Sequence, residues 1–112
     1  MTVEDLVKLA HTALEDLKAR AIVEIDVRGK TTVSDVMLIA TGTSSRHIKS
    51  LADHVIEKAK QEEHMPLGIE GHGRSDWVLV DLGDVIVHIM TEESRDFYAL
   101  EKLWQMEDGE VS

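Results

Sequence analysis

The sequence predicts one α/β domain, in which a mixed sheet forms a single layer and helices pack on it. Three observations lead to this class. The chain has 112 residues, the length of one domain, and 43% of them are hydrophobic, enough for one core. Segments of helical and of strand periodicity follow one another in the order αββαβββα. Residues 82–84 connect two strands by a link so short that it requires an antiparallel hairpin.

The first half of the chain predicts two helices that enclose two strands. The first helix has apolar residues at helical spacing, and Thr2 with Asp5 three residues later forms its capping box. The first strand alternates apolar and acidic residues, whereas the second is continuously apolar and is expected to be central and covered on both faces. Ser44 or Ser45 caps the second helix. The predicted bounds are 3–19 for the first helix, 23–27 and 36–40 for the strands, and 48–59 for the apolar stripe of the second helix.

The second half predicts three strands and a last helix. A short strand opens at Pro66, and a glycine-rich loop separates it from a two-stranded hairpin that we expect at one margin of the sheet. Thr91 caps the last helix, in which Phe97, Leu100 and Trp104 recur at helical spacing and are expected to include core positions. The predicted bounds are 66–69, 77–81 and 85–90 for the strands, 92–104 for the helix, 1–104 for the domain and 105–112 for an acidic, frayed tail.

Charge is distributed unevenly along the chain. The formal net charge is −10, and residues 57–112 contribute almost all of it, with five basic and fourteen acidic side chains. Such a surface repels phosphate backbones and attracts cationic surfaces, which favours a basic protein partner over a direct nucleic-acid site. The chain has no cysteine, no apolar run long enough to span a membrane and no basic start typical of a signal peptide. We therefore expect a soluble, cytoplasmic protein.

Several groups of residues allow a chemical interpretation beside a structural one. Residues 41–47, TGTSSRH, lead into a helix N-terminus, where a phosphate can bind, but they lack the spacing of a P-loop. In the structural interpretation they form an ordinary turn, with Gly42 at a positive φ. Six histidines are present, without the spacing of a zinc motif. Two carboxylate pairs suit metal ions but are also ordinary strand and turn residues; they are Glu24 with Asp26 and Asp81 with Asp84.

No nucleophile, base and orienting group form a recognisable triad in the sequence. We predict no catalytic residue, no metal and no cofactor. A nucleotide-handling enzyme, with phosphate at residues 41–47 and a metal on the carboxylates, stays open as an alternative. His88 lies in an otherwise aliphatic strand, so it must be either exposed or hydrogen-bonded to a carboxylate.

The four aromatic residues of the chain all lie between positions 77 and 104, within its acidic half. Aromatic side chains supply much of the binding energy at protein interfaces, and surrounding carboxylates steer a basic partner into register. We therefore predict a partner-binding surface here. An open alternative is a dimeric adaptor whose aromatic residues form only its own dimer contact. The predicted partner-binding residues are Glu70, Trp77, His88, Glu93, Arg95, Tyr98 and Glu101.

Four segments, in order and at close spacing, resemble the ribosomal silencing factor family, also called RsfS or Iojap-like. They are SDVMLIATGTSSRHIKSLAD at residues 34–53, Glu70-Gly71, DWVLVDLGDVIVHI at residues 76–89 and ESRDFYALEKLW at residues 93–104. Together they extend the resemblance over nearly all of residues 3–104.

The resemblance implies a cytosolic protein with no established enzymatic activity. It implies a fold similar to that of nucleotidyltransferases without their catalytic signature, and a homodimer when the protein is free. Its implied partner is the large ribosomal subunit, through a basic protein on the intersubunit face, the one numbered fourteen. Binding there would block association with the small subunit and repress translation under nutrient limitation. Neither a membrane nor a dedicated nucleic-acid site is implied.

Overall fold

A computed structural model of the chain describes residues 1–29, 34–71 and 76–99, apart from the side chain of Tyr98. In this part of the chain the elements follow the predicted order αββαβββα. The helices are α1 (Val3–Asp16), α2 (Ser45–Gln61) and α3 (Glu92–Tyr98), and the strands are β1 (Arg20–Asp26), β2 (Val36–Gly42), β3 (Gly68–Glu70), β4 (Trp77–Asp81) and β5 (Val85–Thr91).

The five strands form one mixed sheet in the order β1-β2-β5-β4-β3, which confirms the predicted class. Strands β2 and β5 are parallel, and the other neighbouring strands are antiparallel. The hairpin of β4 and β5 was expected at a margin, and this expectation is wrong because β3 pairs along the outer side of β4. The segment before β3 continues that pairing, since the Leu67 amide donates to the Asp81 carbonyl at 2.8 Å.

Both long helices pack on the same face of the sheet. Apolar residues of α1 and α2, such as Leu14 and Leu51, share one buried cluster with Leu38 of β2 and Val87 of β5. We call the opposite side the second face; it carries a smaller apolar cluster that includes Met37 and Ile39, Met90 and the half-buried Trp77. Strand β2 is therefore buried on both faces, as its continuous apolar run predicted.

Two predicted boundaries in the first half move by three residues. Helix α1 ends at Asp16 rather than at residue 19, and Lys18 follows it with a φ of 64°. Strand β1 begins at Arg20 rather than at residue 23, because a bulge at Ala21, with a φ of 48°, lets the earlier residues join the pairing with β2. The capping box of Thr2 and Asp5 is confirmed by both of its hydrogen bonds.

The last helix is shorter than predicted. Helix α3 ends at Tyr98 because Ala99 adopts the left-handed conformation, with a φ of 51°, so the prediction of a continuous helix to residue 104 is wrong. The helix turns Ser94, which is 6% exposed, toward the protein and leaves Phe97 80% exposed, which contradicts a core position for Phe97. Leu100, Trp104 and the predicted tail at residues 105–112 lie outside the described residues.

Gly71 is required where the chain passes the start of β4. Its φ is +78°, and a Cβ atom would lie 2.3 Å from the backbone oxygen of Trp77. Gly71→Ala is therefore expected to lower the free energy of unfolding by more than the cost of about 1 to 2 kcal/mol of a left-handed alanine alone. Gly29→Ala is the control, since Gly29 has a φ of +81° and nothing within 4 Å of the added atom. Equal losses for the two variants in urea unfolding would show that the contact with Trp77 is unimportant.

Candidate functional site: the second face and the start of helix α3

The pairing of the strands aligns two of the predicted partner-binding residues in one row across the second face. His88 of β5 pairs with Leu79 of β4, and Leu79 pairs with Glu70 of β3. Directly paired residues point to the same side of a sheet, so the row runs from the exposed Glu70 to the buried His88. It continues through Ile39 of β2 to Val23 of β1, which supply its apolar part.

Trp77 lies in the adjacent row of the second face. It pairs with Met90 of β5, which in turn pairs with Thr41 of β2. The indole packs on the apolar cluster of the second face and remains partly exposed. A large aromatic ring held on an apolar support, with one side reachable, is the arrangement from which interface residues derive most of their binding energy.

His88 is buried, at 6% exposure, and its partner is the indole of Trp77. The Nε1–H group of Trp77 donates to Nδ1 of His88 at 3.1 Å, and the ring centroids are 5.8 Å apart at an angle of 46°. The expectation that His88 is exposed or bonded to a carboxylate is therefore wrong, because an indole donor satisfies it. Burial lowers the pKa of His88 to about 4, since removal from water disfavours the charged imidazolium.

Arg95 attaches helix α3 to the first two strands. Its Nη1 group donates to the backbone oxygen of Ala21 at 2.6 Å and to the hydroxyl of Thr41 at 2.8 Å. The guanidinium thus joins the last helix to β1 and β2 at the end of the sheet where β5 leads into α3. These bonds give Arg95 a structural role in addition to the predicted contact with a partner.

Arg95→Ala is expected to lower the free energy of unfolding by about 2 kcal/mol, because two hydrogen bonds from a charged donor are lost. Arg46→Ala is the matched control, since it removes the same charge from an exposed position of α2. Urea unfolding measures both effects, and hydrogen exchange of the α3 amides locates the change. A loss no larger than that of the Arg46 control would contradict the anchoring role.

Exposed carboxylates surround Trp77 and the start of α3. The Thr91 amide donates to the Asp76 carbonyl at 3.1 Å, which brings the first turn of α3 beside the start of β4. Glu93, a predicted partner-binding residue, is exposed in that turn. The side chain of Tyr98 and all of Glu101 lie outside the described residues. The exposed carboxylates of this surface are Glu70, Asp76, Glu92, Glu93 and Asp96.

The turn at residues 41–47 is largely occupied by its own hydrogen bonds. The Thr43 amide donates to Nδ1 of His47, whose Nε2–H group therefore donates to the Leu17 carbonyl at 2.7 Å. The side chain of Ser44 caps α2. The structural interpretation expected a positive φ at Gly42, and this expectation is wrong. A larger residue would be crowded here for another reason, since a Cβ atom would lie 2.7 Å from a side-chain carbon of Ile48.

A cleft of about 490 Å³ beside this turn is lined by Glu92 and Glu93 as well as by Arg20. Two carboxylates against one arginine in the lining of this cleft oppose the binding of a phosphate group, which disfavours the alternative of a nucleotide-handling enzyme. The likeness to nucleotidyltransferases stays a prediction from the resemblance.

The candidate metal ligands are also engaged in local contacts. Glu24 contacts His11 of α1 at 2.7 Å, and a carboxylate oxygen of Asp26 accepts the Arg28 amide at 2.9 Å. Asp81 accepts the Gly83 amide at 2.8 Å in the hairpin turn. Within residues 1–29, 34–71 and 76–99, no group of three or more His, Cys, Asp or Glu side chains is suited to hold a metal ion.

Comparison with known proteins identifies the family. The sequence matches the family described as "Ribosomal silencing factor during starvation" over residues 1–112. The chain belongs to the ribosomal silencing factor family. This RsfS-family chain is 46% identical over 99 residues to the ribosomal silencing factor RsfS of Haemophilus influenzae, an alignment that covers 88% of the chain and 97% of that relative.

Similarity extends to a solved structure and to a mitochondrial protein. A crystal structure of a Chromobacterium violaceum protein matches this RsfS-family chain with a TM-score of 0.92 and 44% identity, over 94% of the chain and 88% of that structure. The mouse "Mitochondrial assembly of ribosomal large subunit protein 1" is 33% identical over 98 residues, which cover 83% of this chain and 42% of that protein. The chain is thus one of the ribosome-associated regulators of translation.

Two features of this RsfS-family chain were not anticipated from its sequence. Phe97 was assigned to the core, although its 80% exposure beside acidic residues of α3 makes it part of the candidate surface. Thr41 belongs to the turn for which the sequence allows both a phosphate-binding and a structural interpretation, and neither anticipates the hydrogen bond that it accepts from Arg95. The acidic neighbours of Phe97 were visible in the sequence, whereas the partner of Thr41 lies 54 residues away along the chain.

No helix in the described ranges has the length and apolarity to cross a membrane.

Proposed function

We propose that this chain binds the large ribosomal subunit through a basic protein on the intersubunit face, large-subunit protein fourteen, and prevents the small subunit from joining. Translation is thereby repressed under nutrient limitation. The proposal extends to a cytoplasmic location, to a homodimer in the free state and to the absence of catalytic activity. The observation that carries it is the partly exposed Trp77, which lies on an apolar support beside a rim of exposed carboxylates.

The choice of a basic protein partner rests on charge. A rim rich in carboxylates opposes contact with ribosomal RNA at close range and attracts a cationic protein surface. The mouse relative is named for assembly of the ribosomal large subunit, which favours the large subunit over the small one as the place of binding. The predicted contacts are Glu70, Trp77, His88, Glu93, Arg95, Tyr98 and Glu101.

Repression follows from steric exclusion and needs no chemical step. A folded chain with a radius of gyration of 13.3 Å occupies space on the intersubunit face into which the small subunit must move. Its net charge of −10 adds repulsion against the RNA of the approaching subunit.

A salt series tests the electrostatic part of the proposal. The double variant Glu70→Gln/Glu93→Gln should bind isolated large subunits about 3- to 10-fold more weakly than the unmodified chain at low salt, and this difference should shrink as salt screens the charges. The control is Glu62→Gln/Glu63→Gln, which removes two exposed carboxylates after α2. Equal weakening by both double variants would show that only net charge matters and would overturn the proposed surface.

A further inference from the structure

His88 is a polar side chain placed among apolar neighbours. Ile39 on β2 and Leu79 on β4 stand directly opposite it, and only 6% of His88 is exposed. A leucine would fill a buried position of this kind without the cost of desolvating a polar ring. The imidazole accepts a hydrogen bond from Trp77, which an aliphatic side chain at this position cannot do.

The bond joins diagonal neighbours on two strands. Trp77 pairs with Met90 and His88 pairs with Leu79, so the indole must lean along the sheet for its Nε1–H group to reach Nδ1 of His88 at 3.1 Å. An indole that packs only on apolar atoms is free to choose among several rotamers, because such contacts are not directional. The directed bond from Nε1–H to Nδ1 of His88 favours the rotamer that reaches the imidazole.

We propose that His88 is a positioning residue for Trp77, which holds the indole in the orientation that meets the basic partner. This inference rests on the proposed function, because it takes Trp77 as a contact to the ribosome. It changes the role of His88 from a direct contact to one that acts through Trp77. Since Nδ1 accepts the bond, the ring proton is on Nε2, and only the neutral imidazole can hold the indole.

The surroundings of His88 keep it in this neutral form. The neighbours on β2, Ile39 directly and Met37 and Thr41 diagonally, carry no titratable group. On β4 the two diagonal neighbours of His88 are Trp77 and Asp81, and the Asp81 carboxylate accepts a hydrogen bond from the Gly83 amide. Beyond Leu79 the row ends at the exposed Glu70. Burial dominates over these groups and lowers the pKa of His88 to about 4, so the bond persists at neutral pH.

Two substitutions at His88 distinguish the effect of the hydrogen-bond acceptor from the effect of the imidazole ring itself. His88→Asn places an amide oxygen near the position of Nδ1 and keeps an acceptor, whereas His88→Leu removes it. The first measurement is the indole N–H resonance of Trp77 in a nitrogen-15 spectrum, assigned with a Trp104→Phe variant because the chain has two tryptophans. We expect the resonance to stay in place in the Asn variant and to move and exchange faster with water in the Leu variant.

The second measurement is affinity for isolated large subunits. His88→Leu should weaken binding by about 5- to 10-fold and His88→Asn by less than about threefold. In a Trp77→Phe background, which has no indole donor, His88→Leu should change affinity by less than about twofold, because the bond is already absent. This last comparison also serves if the Leu variant is less stable, since a purely structural loss would persist in the Phe background.

The outcomes distinguish the two proposals. An unmoved indole resonance in His88→Leu, or a moved one with unchanged affinity, overturns the positioning role. Equal loss of affinity in the Asn and Leu variants overturns it as well. If Trp77→Ala itself binds subunits normally, both proposals fail at this surface, whereas weakened binding of Trp77→Ala together with normal binding of His88→Leu overturns the positioning role alone.

Discussion

Trp77→Ala is expected to weaken binding to isolated large ribosomal subunits by about 5- to 150-fold, or about 1 to 3 kcal/mol. The reason is that the indole offers a large apolar area which is already held on the second face and is only partly covered within the chain. An aromatic side chain of this kind loses little conformational freedom on binding and displaces water from both partners. Quantitative cosedimentation of folded variant and subunit measures the effect.

Leu67→Ala is the control for this prediction. Leu67 is 76% exposed and lies just before the outer strand β3, outside the two rows that carry Trp77 and His88. Its loss should leave the affinity within about twofold of the unmodified chain, since scattered exposed apolar residues contribute little to a specific interface. Normal cosedimentation of a folded Trp77→Ala variant would contradict the proposed surface.

The second large effect concerns stability in acid. His88 titrates near pH 6.5 in the unfolded chain and at about 4 in the folded chain. Above pH 6.5 both states are neutral, and His88 adds no pH dependence. Between pH 6.5 and 4 the unfolded chain binds a proton that the folded chain does not, so the free energy of unfolding falls with acidification, by about 3 kcal/mol in total, and this contribution levels off below pH 4.

His88→Asn isolates this contribution, because asparagine does not titrate. The difference in unfolding free energy between the unmodified chain and the variant should be constant above pH 6.5 and should shift by about 3 kcal/mol in favour of the variant by pH 4. Urea unfolding at a series of pH values measures it. A difference that stays constant over the whole range would show that His88 takes up its proton normally in the folded state.

The order of the elements was predictable because hydrophobic periodicity is local. The continuous apolar run of β2 requires burial on both faces, and the two clusters that share this strand confirm it. Element ends were less predictable, because single residues with positive φ determine them, such as Lys18 after α1 and Ala99 after α3. The short strand predicted at residues 66–69 is present as β3 (Gly68–Glu70), but its pairing along the outer side of β4 was not predictable, because periodicity does not specify which strands are neighbours.

The candidate site was predictable in composition but not in its internal contacts. The concentration of aromatic and acidic residues after position 76 is visible in the sequence, and it led to the choice of Trp77 and Glu93 as predicted partner-binding residues. The bond between Trp77 and His88 requires the register of β4 and β5, which periodicity does not specify. The acceptors of Arg95 lie 54 and 74 residues away along the chain, so only the assembled fold brings them together.

We propose that the chain excludes the small ribosomal subunit by binding to the large one. The direct measurement mixes purified large and small subunits with a saturating excess of the chain and resolves them on a sucrose gradient. We predict that joined ribosomes are replaced by separate subunits and that the chain migrates with the large one. If the joined ribosomes persist unchanged while the chain is bound at saturation, exclusion is not what this protein does.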